Sequence, residues 1–218
     1  FENLKNIQKV FLHCYFNSPN TNSLFKELTS NKKIDFSRYN YFYASYLATL
    51  GKTDKAKDTV KSALRSHPRN LLLNQYKIDL KEGKNTFNFN CKNKANVVAE
   101  ILYIASNALS SQAIYPLSNF YLNLAKHLNK GFISYDTLLA ENFYEIDDFD
   151  KAKKIYKNLS KKGKAFLWYS SKQLARIYIK EENKKKALEL LSVAYNDLQS
   201  KDYYETFDYA EFLKNNEK

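Results

Sequence analysis

The chain has 218 residues, 27% of them charged and 44% hydrophobic, with a net charge of +12. Four Gly and three Pro are too few turn formers for a β-sandwich or barrel, yet the length suffices to bury a sizeable core. No apolar run reaches the roughly 18 residues of a membrane span, because Glu100 interrupts the best stretch, Val97 to Ala105. Of the 35 basic residues only Arg38, Arg65, Arg69 and Arg176 are arginine, the side chain that reads phosphates and bases with a bidentate fork. The charge therefore reads as a lysine-rich solvated surface, and nucleic acid is disfavoured as a partner. Methionine is absent and the chain opens on Phe1, which reads as a processed or excised segment whose array continues beyond it.

In chain order, Asn3 to Tyr15 and Thr21 to Ser30 predict a degenerate helical pair over residues 1–36, around the turn Asn17-Ser-Pro-Asn20. The next segment, 37–70, carries a clear pattern. Counting Ser37 as position 1, Tyr43 and Ala44 fall at 7 and 8, Leu47 at 11 and Gly51 at 15. Ala56 falls at 20, Val60 at 24, Ala63 at 27 and Pro68 at 32. Residues 71–98 begin as a helix, Leu71 to Glu82, and continue as an Asn-rich loop or extended insert, Gly83 to Lys94, that shifts the register.

The pattern returns weakly over 99–132 (Ala105, Ser106, Leu109, Ser118, Leu122, Ala125). It is clear over 133–166 (Leu139, Ala140, Phe143, Ala152, Tyr156, with Asp147 in the glycine slot and Leu159 for the third alanine). It recurs over 168–201 (Leu174, Ala175, Tyr178, Ala187, Leu191, Ala194) and ends in a lone first helix, 203–218, with Tyr209, Ala210 and Leu213. Positions 4, 7, 8 and 11 share one face of the first helix, and 20, 24, 27 and 28 one face of the second. Small residues at 8, 20 and 27 let antiparallel helices approach to roughly 8–10 Å. The expected fold is all-α: a superhelix, or α-solenoid, of antiparallel helix pairs in one domain.

These positions resemble the tetratricopeptide repeat, in a degenerate bacterial form, over about two thirds of the chain; the unit 37–70 lacks only the early tryptophan of the pattern. The resemblance implies a non-enzymatic scaffold whose concave wall, built from positions 2, 5, 9 and 12 of each first helix, holds a peptide or protein. Those slots supply the partner-binding candidates Tyr103, Glu141, Tyr144, Tyr169, Lys172 and Arg176. The family's clamp for chaperone carboxylate tails needs Lys and Asn at positions 5 and 9. Here those positions read Tyr41/Ser45, Thr137/Glu141 and Lys172/Arg176, so that partner is not expected.

The run Ile133-Ser-Tyr-Asp-Thr-Leu-Leu resembles the related pentatricopeptide repeat, which makes RNA binding the alternative reading. His13, His67 and His127 are isolated, and Asp147-Asp-Phe-Asp150 lacks an EF-hand's alternating ligands. No catalytic residue, metal or cofactor is expected, and Asp148 or Asp150 reads as a helix cap. The general flavour is similar to exported bacterial repeat proteins, with a cytoplasmic site as the alternative. In an oxidising compartment Cys14 and Cys91 could pair. Exposed terminal repeats could also self-associate.

Overall fold

The computed structural model describes residues 2–30, 36–84, 88–198 and 201–216. Residues 85–87 of the Asn-rich insert, and the ends of the last two predicted units at 199–200 and 217–218, lie outside them. The described residues are all-helical, with twelve helices. They are α1 (Glu2–Tyr15), α2 (Thr21–Ser30), α3 (Ser37–Thr49), α4 (Thr53–Ser66), α5 (Leu71–Lys81) and α6 (Lys94–Ser110), then α7 (Tyr115–Leu128), α8 (Ser134–Glu145), α9 (Phe149–Leu159), α10 (Lys164–Lys180), α11 (Lys184–Asn196) and α12 (Tyr203–Asn216). Two compact units divide the chain, 1–135 and 136–218. Among the described residues no helix is long and apolar enough to cross a membrane.

Side-chain size explains why consecutive helices pair. At position 8, Ala44, Ser106, Ala140 and Ala175 are all fully buried, and so at position 20 are Ala56, Ser118, Ala152 and Ala187. Position 27 is nearly as dry, with Ala125 at 0%, Leu159 at 2% and Ala194 at 5% exposed. The Ser118 hydroxyl donates to the Ser106 carbonyl at 2.9 Å across the α6–α7 contact. In α12 the corresponding Ala210 is exposed and no residue is buried, since no second helix follows it among the described residues.

The turns repeat as faithfully as the contacts. Position 15 takes a left-handed conformation in every full unit: Gly51 at φ 72°, Ala113 at 59°, Asp147 at 57° and Glu182 at 59°. The following N–H reaches back to the position-11 carbonyl each time, at 3.0 Å from Lys52, 2.9 Å from Ile114, 2.9 Å from Asp148 and 2.8 Å from Asn183. This is the Schellman closure of a helix C-terminus. The α1–α2 turn has the same closure, Ser18 N–H to the His13 carbonyl at 2.9 Å with Asn17 left-handed. That sets the register of the N-terminal pair from Asn3 and puts Val10, 2% exposed, in the small-residue slot. A branched residue there explains why the pattern was faint in the sequence.

Only glycine adopts this conformation without a Cβ clash, which costs roughly 1–2 kcal/mol for other residues. Ala113→Gly and Glu182→Gly are therefore expected to stabilise the protein, each by about 0.5–1 kcal/mol after glycine's extra unfolded-state entropy is subtracted. Gly51→Ala is expected to cost a similar amount, and purely through the backbone, because a Cβ at Gly51 would meet nothing within 4 Å. Chemical denaturation of the three variants checks the sign. A destabilised Ala113→Gly would mean that the turn is not held in this conformation in solution.

Two first helices begin earlier than the repeat count predicts. Helix α6 starts at Lys94, because the Asn93 side chain caps the Ala95 N–H at 2.9 Å. Helix α10 starts at Lys164 and buries Phe166, 2% exposed, on its added turn.

The core of the first unit is aromatic. Phe42 stands at its hub, with ring centroids of Phe89 at 4.3 Å, Phe11 at 5.6 Å and Phe132 at 5.7 Å. Phe89 comes from the Asn-rich insert, whose described part is thus pinned into the core. The Asn129 amide donates to the Asn88 carbonyl at 3.1 Å, and Asn96 accepts from the Asn90 N–H at 3.0 Å. Beside this cluster Cys14 and Cys91 form a disulfide, Cα–Cα 5.8 Å, tying the end of α1 to the insert across 77 residues.

Candidate interaction surface

The position-2 side chains of three first helices in the first unit close on one another. Arg38 of α3 grips Glu100 of α6 with two parallel bonds, Nε to Oε1 and Nη2 to Oε2, both 2.7 Å. Its Nη1 also donates to the Ser134 hydroxyl at the start of α8. The guanidinium lies 3.8 Å from the Tyr103 ring centroid and 5.1 Å from that of Phe132. The Glu100 side chain is wholly buried and that of Arg38 is 15% exposed. Burial pushes the Glu100 carboxyl up, and the guanidinium beside it pulls it back. Burial works against the Arg38 charge, but the Glu100 carboxylate, with Tyr103 and Tyr135 beside it, more than offsets that and holds the charge more firmly than usual. Tyr103, chosen from the sequence as a groove residue, thus offers one ring face to Arg38, with the Tyr135 ring at 5.7 Å. Tyr41, at position 5 of α3, is buried at 4% and packs on Tyr76.

The second unit holds the other five candidates. The Tyr169 hydroxyl of α10 donates to Glu141 Oε1 of α8 at 2.5 Å. Arg176 sits about two turns further along α10, with its guanidinium 4.6 Å from the Tyr144 ring centroid and its Nη1 donating to Gln173 Oε1 at 2.7 Å. Tyr144 is itself buried, 8% exposed, so it carries Arg176 rather than facing a partner. Lys172 forms an ion pair with Asp208 of α12, and its Nζ stands 5.6 Å from the Trp168 ring centroid. Stacking of Tyr195 on Tyr209, centroids 4.3 Å apart, helps to hold α12 in place. Of the five candidates, Glu141, Tyr169 and Arg176 remain accessible as a strip, with Lys172 at its edge. Aromatic planes and neighbouring polar groups fix the rotamers of that strip.

Some features escaped sequence reasoning. The Arg38–Glu100 pair joins residues 62 apart, and opposite charges at position 2 of two units were its one legible sign. A lysine-lined cleft on α9 and α11 was foreshadowed only by the runs Lys153-Lys154 and Lys184-Lys185-Lys186. In the acidic turn Asp148 is the cap, accepting from the Lys151 N–H at 3.3 Å and from its Nζ at 2.7 Å. Neither a protein-family model nor a curated protein matches the chain.

Proposed function

We propose that the chain is a non-enzymatic, tetratricopeptide-type scaffold that presents a helical surface to an extended peptide or a protein partner. The observation that carries this reading is the ordered strip of the second unit, where Tyr169 is bonded to Glu141 and Arg176 is laid on Tyr144. Arginine and tyrosine supply most interface energy in known complexes, and side chains already held in one rotamer lose less entropy when a partner binds. The recurring small residues and the repeated position-15 turn support the family resemblance. The Cys14–Cys91 disulfide favours an oxidising compartment, in keeping with an exported protein.

Selection of a displayed random-peptide library on the immobilised protein tests the surface. Peptides retained by the wild type are expected to lose at least about tenfold in affinity, or 1.4 kcal/mol, against the Tyr169→Ala/Arg176→Ala variant. The same peptides bound equally well by that variant would remove the strip from the interaction.

A further inference from the structure

We propose that the cleft between α9 and α11 of the second unit is a binding site for a compact polyphosphate-class anion. The cleft is an open groove of about 400 Å³ and takes Lys153, Lys154 and Lys157 from α9 and Lys186 from α11, with Tyr178 of α10 among its walls. Its two carboxylates, Asp150 and Glu181, are both turned onto one cation: Lys153 Nζ lies 2.7 Å from Glu181 and 3.2 Å from Asp150. Four lysines against two carboxylates leave the lining at +2. Lys154, Lys157 and Lys186 carry the excess, and Lys186 is steered by the Tyr178 ring, its Nζ 4.5 Å from the centroid.

Local electrostatics mark the site. Helix α11 opens on Lys184-Lys185-Lys186 with no acid in its first turn, although the positive end of a helix favours carboxylates there. On α9, Lys154 and Lys157 are three residues apart, a spacing at which like charges repel, while Lys153 is held by its two carboxylates. Local rules are broken in this way where a site needs the charge. A bound anion with several oxygens would relieve both repulsions.

Size and surroundings choose the ligand class. The volume exceeds what one phosphate fills, and falls in the range of small-molecule sites. Asp147 and Asp148 stand at the start of α9 and Glu182 at the end of α10, so carboxylates border the cleft along the chain. That border disfavours a long nucleic-acid backbone and suits a short di- or triphosphate. The proposal is independent of the peptide strip, which lies on α8 and α10.

Calorimetric titration of the full chain with sodium tripolyphosphate at low ionic strength is the test, with single-stranded RNA of about ten nucleotides as the competing ligand. Tripolyphosphate is expected to bind the wild type, and Lys154→Gln/Lys157→Gln to weaken it by about tenfold or more. Lys55→Gln/Lys61→Gln, on exposed positions of α4, is expected to change it by less than about twofold. The free Lys154→Gln/Lys157→Gln protein should melt no lower than the wild type, because repulsion has been removed, yet should lose the rise in melting temperature that tripolyphosphate gives. Absence of binding at low salt overturns the proposal. So does equal weakening by both double variants, and so does RNA binding that is tighter than tripolyphosphate and survives Lys154→Gln/Lys157→Gln.

Discussion

Replacing either partner of the Arg38–Glu100 pair alone is expected to cost about 3–5 kcal/mol, and replacing both together far less. The asymmetry follows from burial. Glu100 is fully enclosed and accepts two 2.7 Å bonds from one guanidinium, so Arg38→Met leaves a carboxylate that must be buried bare or take up a proton. Glu100→Met leaves a cation that is 15% exposed, with the Tyr103 face and the Ser134 hydroxyl as its remaining support. Arg38→Met/Glu100→Met removes both desolvation penalties and puts apolar chains among Phe42, Tyr103 and Phe132. Its cost is expected to stay within about 1–2 kcal/mol of the wild type. Denaturant titration of the four proteins gives the coupling directly as a double-mutant cycle. Additive costs would mean that the two side chains act independently, and that the pair does not hold α3 to α6.

The second large effect concerns the disulfide. A crosslink between residues 77 apart restricts the unfolded chain by about 4.5 kcal/mol on the loop-entropy account, and measured losses on removing such bonds run to about 2–5 kcal/mol. Cys14→Ala/Cys91→Ala is expected to lose stability in that range and to unfold with a steeper denaturant dependence, because its unfolded state exposes more surface. Hydrogen exchange should locate the first loosening at the end of α1 and the insert around Phe89, whose backbone is otherwise held by few bonds. Two alkylatable thiols in the native, unreduced protein would abolish both expectations.

The two effects share a geometric cause. Each joins segments of the first unit that the helical repeat does not by itself bring together, and both lie beside the same aromatic hub. Phe42 lies between them, 5.4 Å from the Arg38 guanidinium and 4.3 Å from Phe89, two residues before Cys91. The polar closure at position 2 and the covalent closure at the insert therefore brace one core.

The sequence by itself determined the helices, their pairing and the places of their turns, apart from the early starts of α6 and α10 and the register of the N-terminal pair. These depend on residues within about one repeat of each other: a small side chain at 8 must meet one at 20, and position 15 must turn left-handed to start the second helix. Ala44, Ala56, Ala140, Ala152, Ala175 and Ala187 are dry for that reason, and Asn70, Asn93, Asp148 and Asn183 cap the helices that follow them. Tertiary structure alone decided what the first-helix inner positions do. Periodicity assigns Arg38, Tyr41, Glu100 and Tyr103 to one face but says nothing of what that face meets. A charge 62 residues from its partner, or a cysteine 77 from its own, leaves no mark in local spacing. Desolvation then makes the difference, since an arginine and a glutamate that read as groove lining can stay buried only by finding each other.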